Sequence, residues 1–291
     1  MSSESKRPSG RAVEFLVVVS RRAGGFKLRN LENIIRDFFV KNSLTFEFYF
    51  LDAGTFRLPK TKFQTVLIVG GDGTLRRAVD FFYHQKIKKP IALLPSGSAN
   101  VFAKIHKIPK NPTKNLQRLL KPKKQKIAVG ILNQRDVFLI AAVFGRIARF
   151  SLEAEYHFKH HIGFWAYISA GVCSLFHFPH QKLQVNTQHV EAHSVLIFPT
   201  AIAQKLAVLK NPRAPLHVFI PRNKTFHGML KILCALHLFR RRTDLVEIEA
   251  SQNIILSGKF ENQIHLDGDR VQTRGSRFEI TVAPQAFTLL T

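Results

Sequence analysis

Between Val69 and Thr74 the chain reads Val-Gly-Gly-Asp-Gly-Thr, directly after an apolar run and directly before a helical period. Where the carboxyl end of a parallel strand meets a helix N-terminus, unpaired backbone N–H groups converge and attract phosphate. Gly70, Gly71 and Gly73 suit such a place, because a Cβ would hold a ligand away from the backbone. Asp72 adds a hard carboxylate that could hold Mg²⁺ or a metal-bound water, and Thr74 adds a hydroxyl. The spacing is not that of a Walker loop, since no Gly-Lys-Ser/Thr follows, nor that of the dinucleotide folds. Taken alone, the segment reads equally as a glycine-rich turn. A second loop, Pro95-Ser96-Gly97-Ser98-Ala99-Asn100, follows one strand-and-helix unit later, which places both loops at one edge of a sheet. Ser98 and Asn100 offer a hydroxyl and an amide to phosphate or ribose, and alone they also describe a helix N-cap. A third place, Leu266-Asp267-Gly268-Asp269, sets two carboxylates about a glycine; by itself it is a tight hairpin signature.

These loops need a scaffold, and the pattern supplies one. From Ala12 to about Lys126, short β-branched runs alternate with helical periods: VEFLVVV, a helix over about 28–41, TFEFYFL, TVLIVGG, TLRRAVDFFYH, PIALLP and SANVFAKIH. Such alternation predicts an α/β domain with a mostly parallel sheet covered by helices. Beyond Lys126 the runs are strands: KIAVGIL, DVFLIAAVF, KLQVNT, HSVLIF, LHVFI, LVEIEASQNIIL, NQIHL and RFEITVA. A β-rich, sandwich-like domain follows, with helical stretches at about 163–176 and 224–239. The predicted division is a disordered basic tail at 1–11, an α/β domain at 12–125 and a β-rich domain at 126–291. The proline among charges in KPKKQK marks the boundary.

In order, these segments resemble the diacylglycerol-kinase-like lipid kinases, the group that includes sphingosine kinases and their bacterial relatives. GGDGT at 70–74 and PSGSANVFAK at 95–104 resemble the two nucleotide-loop motifs of that family. His161-Ile162-Gly163-Phe164-Trp165-Ala166-Tyr167 resembles its Leu-Gly-x-x-Ala-Tyr segment, and Leu266-Asp267-Gly268-Asp269 its late Asp-Gly-Glu. NAD kinases and phosphofructokinases share GGDGT, but the Pro-x-Gly-Ser/Thr-x-Asn loop favours the lipid branch. The resemblance implies that ATP lies between an N-terminal α/β domain and a C-terminal β-sandwich domain, and that its γ-phosphoryl passes to a lipid hydroxyl. It assigns Gly70, Gly71, Asp72, Gly73 and Thr74, with Ser98 and Asn100, to the nucleotide, and Asp72 also to Mg²⁺. Ser20 and Arg21, in the loop after the first strand, join the nucleotide set. Asp267 becomes the base for the lipid hydroxyl and Asp269 its acidic neighbour.

The departures matter too. Ser20-Arg21-Arg22-Ala23-Gly24 stands where the family opens with Asn-Pro-x-Ser-Gly, and Leu75-Arg76-Arg77 where Leu-Asn-Glu is usual. The two arginines either pair with phosphate or form a solvated helix face. Ala128 and Arg146 stand where acidic residues for a structural metal are common in the family.

The 291 residues are 45% apolar, enough to build packed cores, so disorder and repeat arrays are not expected. Forty-four Lys and Arg against 19 Asp and Glu give a net charge of +25, which calls for an anionic partner. Cys173 and Cys234 form neither a disulfide framework nor a zinc spacing. The N-terminus lacks the apolar stretch of a secretory signal, and the 17-residue uncharged run from Ile162 to Phe178 reads as a buried helix rather than a span. A cytoplasmic, peripherally membrane-associated protein is expected. Lys224 to Arg242 reads either as a basic amphipathic helix lying on anionic lipid or as a helix covering the second domain. His157, His160 and His161 share helical spacing without a metal motif, and Trp165 and Tyr167 read as packing residues. Two functions remain: an ATP- and Mg²⁺-dependent lipid kinase at the membrane, or a catalytically weak relative that binds nucleotide or anionic lipid as a regulator. Nucleic-acid binding is disfavoured, because charge alone is its only signal.

Overall fold

The structure is a computed structural model. It describes residues 12–20, 25–51, 56, 58–59, 61–148, 181–207, 209–222, 245–260, 264–272 and 275–291, with the side chains of 25–29 excepted. Arg21, the basic tail, the histidine and Trp165 segment and the helix expected over 224–239 lie outside the described residues. The chain divides into two compact units, Met1–Ile127 with Ala286–Thr291, and Ala128–Gln285.

The first unit is built on β1 (Val13–Ser20), β2 (Phe46–Leu51), β3 (Phe63–Gly70) and β4 (Ile91–Pro95), in the order β2-β1-β3-β4 and all parallel. Parallel strands are covered on both faces and therefore read as continuous apolar runs rather than alternating ones. Leu16 to Val19 of β1 and Val66 to Val69 of β3 are fully buried, as those runs require. Helix α1 (Gly25–Lys41) joins β1 to β2 and buries Ile35 and Phe39 against Phe15, Val17 and Leu67. Phe39 stacks on Phe15 with ring centroids 4.9 Å apart. Helix α2 (Asp72–His84) joins β3 to β4 and buries Leu75, Ala78, Val79 and Phe82, the one-sided stripe of an amphipathic helix. After β4 come the short α3 (Val101–Ile105) and α4 (Pro112–Gln117).

Helix α4 has no counterpart among the sequence expectations, although its signature is present. Asn111 accepts a hydrogen bond from Lys114 N at 3.0 Å and Pro112 occupies the first turn, where its missing N–H is harmless. Leu116 and, just beyond the helix, Leu119 then drop into the core.

The second unit is antiparallel and β-rich. After β5 (Lys124–Leu132), whose chain crosses from the first unit into the second, come β6 (Asp136–Phe138), β7 (Ala142–Gly145), β8 (Gln181–Val185), β9 (Gln188–Ala192) and β10 (Ser194–Pro199). Helix α5 (Thr200–Leu206) precedes β11 (Leu216–Pro221), β12 (Leu245–Ser251), β13 (Asn253–Ser257), β14 (Ile264–Leu266), β15 (Asp269–Arg270) and β16 (Arg277–Leu290). One sheet runs β12-β11-β10-β7-β14-β15. Its inward residues, among them Phe144, Ile197, Val218 and Leu266, share a core with Leu183, Ile254, Leu256 and Phe278 of the β8, β13 and β16 layer. Inward-facing residues of two layers sharing one core is the arrangement of a sandwich.

Three run boundaries differ from the sequence reading. DVFLIAAVF breaks into β6 and β7, because the amides of Leu139, Ile140 and Ala141 turn to a carboxylate instead of a neighbouring strand. LVEIEASQNIIL breaks into β12 and β13, which pair with β11 and β16 respectively. The last six residues, placed by pattern in the second domain, group with the first unit: Leu289 and Leu290 pair in parallel with Ile91 and Ala92 of β4.

Candidate functional site

Three parallel strands bring their carboxyl ends to one edge: Ser20 ends β1, Gly70 ends β3 and Pro95 ends β4, with Gly70 directly opposite Pro95. Ser20, 5% exposed, sits at that edge. The glycine loops that follow β3 and β4 touch each other. A Cβ on Gly97 would lie 2.6 Å from Gly71 Cα, and one on Gly71 would lie 3.0 Å from Gly97 Cα, so the two backbones pass with no room for a methyl group. Ser96 N donates to Gly70 O at 3.0 Å. The sequence assigns Gly71 to close approach of a ligand; the structure gives it first to close approach of Gly97.

Side chains complete the lock. Asp72 Oδ2 accepts from Val101 N at 2.8 Å and Asp72 Oδ1 from Phe102 N at 2.9 Å, so the carboxylate that opens α2 also caps α3. Asn100, 3% exposed and at φ 48°, turns its amide onto its own loop: Oδ1 accepts from Gly97 N at 3.0 Å and Nδ2 donates to Gly97 O at 2.6 Å. Asparagine tolerates this left-handed backbone better than most residues. Asn100 is thus consumed within the loop, while Ser98 beside it is exposed. Thr74 is buried, and its side chain fills the space above Gly70.

Two features of this edge point outward to a ligand. Helix α2 begins at Gly71 with no side-chain cap on its first-turn amides. Unsatisfied N–H groups at the positive end of a 13-residue helix favour an anion. Ser96 Oγ is buried and makes no hydrogen bond among the described residues. A buried hydroxyl left unpaired costs about 1–3 kcal/mol, and a phosphate oxygen would relieve it. Ser96 was absent from the sequence-derived set; its position directly after the strand end was the signal. The donors present therefore fit a phosphate.

Fit to Mg²⁺ rests on Asp72. Each of its oxygens spends one acceptor position on an amide, and a carboxylate offers about four positions in all. Mg²⁺ commonly takes one or two carboxylates, substrate phosphates and waters. Among the described residues no group of three or more His, Cys, Asp and Glu gathers into a metal site. Arg76 and Arg77, on the first turns of α2, are half-buried.

Asp267 and Asp269 belong to the second unit. Asp267 and Gly268 form the two-residue turn between β14 and β15, at φ 53° and 92°, with Leu266 opposite Asp269. Both φ values are positive, as a primed hairpin turn requires. The Asp267 carboxylate is clamped: Oδ2 accepts from Leu139 N at 2.7 Å, and Oδ1 from Ile140 N at 2.7 Å and Ala141 N at 2.9 Å. Asp267 N returns a bond to Ala141 O at 2.9 Å. The half-buried carboxylate is fixed in direction, and Asp269 is exposed.

His106, at the end of α3, packs on Phe102 with ring centroids 4.3 Å apart. Burial pushes its pKa below the usual 6.5, partly opposed by a hydrogen bond to Gln125. The neutral ring is therefore the folded form near pH 7. The unfolded chain binds the proton first, so stability is full above the unfolded value and falls as pH drops through 6.5 toward the folded pKa. A ¹H–¹⁵N titration of the imidazole should place the midpoint below 6.5, and His106→Gln should flatten the fall in stability across that window.

Residues 14–132 match the family described as diacylglycerol kinase catalytic domain. The diacylglycerol kinase of Staphylococcus carnosus (strain TM300) is 27% identical over 110 residues, 38% of this chain and 36% of that protein. The diacylglycerol kinase of Staphylococcus haemolyticus (strain JCSC1435) is 25% identical over 115 residues, 40% and 34%. The matched stretch thus spans about a third of these curated relatives. A crystal structure provisionally assigned as a diacylglycerol kinase of Bacillus anthracis str. Sterne superposes over 95% of this chain and 96% of its own, with TM-score 0.69 and 18% identity. Residues 14–132 are thus similar to the diacylglycerol kinase catalytic domain, and nearly the whole chain shares the fold of that crystal structure.

Proposed function

We propose that this chain is a lipid kinase that transfers the γ-phosphoryl group of ATP, with Mg²⁺, to the hydroxyl of diacylglycerol or a related lipid. The observation that carries the reading is the locked pair of loops. Gly71 against Gly97, tied by Asp72 and Asn100, leaves the uncapped first turn of α2 and the unpaired Ser96 hydroxyl at one edge of a parallel sheet. The match to a kinase catalytic domain covers that segment.

Phosphoryl transfer asks a protein mainly for positioning and charge neutralisation. In this reading the amides of Asp72, Gly73 and Thr74 and the Ser96 and Ser98 hydroxyls receive the phosphates. Asp72 holds Mg²⁺, which neutralises phosphate charge when bound. Ser20 lines the same strand edge, and Asp267 accepts the lipid hydroxyl proton.

The test is transfer of label from [γ-³²P]ATP to mixed vesicles containing diacylglycerol, with ceramide and sphingosine as alternative acceptors. Labelled diacylglycerol is the expected result. ATP binding with no labelled lipid from any acceptor would replace the kinase with a nucleotide-binding relative lacking turnover.

A further inference from the structure

From Lys104 to Lys126 the chain carries nine lysines and arginines and no aspartate or glutamate. Eight of these cations are exposed and Arg118 is half-buried, so the run is a surface feature of the first unit. Its inner side is apolar: Ile105, Leu116, Leu119 and Ile127 are buried. Two contacts tie separate stretches of the run to one another. Arg118 Nη1 donates to Lys107 O at 3.0 Å, joining the residues after α4 to those after α3. His106 Nδ1 meets Gln125 Oε1 at 3.4 Å, joining the end of α3 to the start of β5.

Within this basic field Leu120 stands out at 47% exposure, between buried Leu119 and exposed Lys121. Only one other large apolar side chain, Val40, is as exposed among the described residues. An exposed leucine on a cation-rich segment, with Arg118 and Lys121 close by in the chain, suits the boundary of an anionic bilayer, where the leucine enters the acyl edge and the cations meet headgroups. Nucleic acid would also attract the charge, but the segment 104–126 contains no Phe, Tyr or Trp on which a base could stack.

We propose that the 104–126 surface is a docking site for anionic lipid bilayers, with Leu120 as its inserted anchor and Lys114, Lys121, Lys123 and Lys124 as its principal headgroup contacts. This places the membrane contact in the first unit, apart from the 224–242 segment singled out by sequence. It rests on the lipid-kinase reading only in that docking would carry the chain to the phase holding its acceptor; binding is measured without ATP or diacylglycerol, so either idea can fail alone.

The experiment is co-sedimentation of the full chain with phosphatidylcholine vesicles containing 0% or about 30% phosphatidylglycerol, at low and high salt. Wild type should bind only the anionic vesicles and release as salt rises. Each lysine near such a surface contributes about fivefold in affinity, so Lys114, Lys121, Lys123 and Lys124→Gln together should weaken binding about 10²-fold or more. Leu120→Ser should weaken it several-fold with less change in salt dependence. The matched control removes four exposed cations of the second unit, Lys182, Lys205, Lys210 and Arg213→Gln, and should retain most of the binding. Equal loss in both quadruple variants would show that net charge alone drives attraction and would overturn the site. Undiminished binding of the first variant would do the same, as would duplex or single-stranded DNA binding without vesicle binding.

Discussion

Gly97→Ala should lower transfer from ATP about 10²-fold, and the reason is steric. The new Cβ would stand 2.6 Å from Gly71 Cα, 3.0 Å from Asn100 Oδ1 and 3.3 Å from Gly71 N. The nearest of these atoms is backbone, so no rotamer change relieves the contact. The loops after β3 and β4 must part, which pulls on the Asp72 bonds to Val101 and Phe102 and displaces the first turn of α2. Overpacking of this kind costs about 1–3 kcal/mol of stability, and a misplacement of about 1 Å at a phosphate site costs about 10²-fold in rate. Gly71→Ala, whose new Cβ would meet Gly97 Cα at 3.0 Å, should be milder in both respects. Steady-state kinetics with a denaturant titration checks the pair. Wild-type turnover in Gly97→Ala would show that the contact between the loops has no part in transfer.

Asp267→Asn should reduce turnover about 10²- to 10⁴-fold, the range that general base catalysis supplies, while leaving ATP affinity of the first unit unchanged. It should also destabilise the second unit by about 2–4 kcal/mol. Three amides now donate to the carboxylate, and an asparagine offers one acceptor oxygen and turns an NH₂ donor toward the rest. The two effects separate by measurement. Calorimetry of nucleotide binding and a melting curve, alongside transfer assays, distinguish loss of the base from loss of the fold. A folded Asp267→Asn protein with full turnover would leave Asp267 as a clamp on residues 139–141 and nothing more.

The parallel sheet was legible because its strands are buried on both faces, and residues 15–19, 66–69 and 91–95 stand in the sequence as unbroken apolar runs. The two glycine loops were legible as neighbours because one β-α unit sets their separation. The Asp-Gly hairpin was legible as a turn from two residues. What the sequence hid were partnerships across long chain separations. Nothing local says that Asp72 caps a helix 29 residues away, or that Asp267 captures amides 126 to 128 residues earlier and so breaks DVFLIAAVF in two. Asn100 looked like a ligand residue because an amide side chain does not announce that its own loop will consume it. Ser96 looked inert because its unpaired hydroxyl is a property of burial, not of spacing.

The most direct test of the locked loops as a triphosphate cradle is amide NMR of the ¹⁵N-labelled protein during titration with Mg²⁺ and a non-hydrolysable ATP analogue. The amides of Gly71 to Thr74 and of Ser96 to Ser98 should shift together with one dissociation constant, and those of β2 at the far edge should not move. Saturable binding that leaves residues 71–74 and 96–98 unshifted would contradict the account.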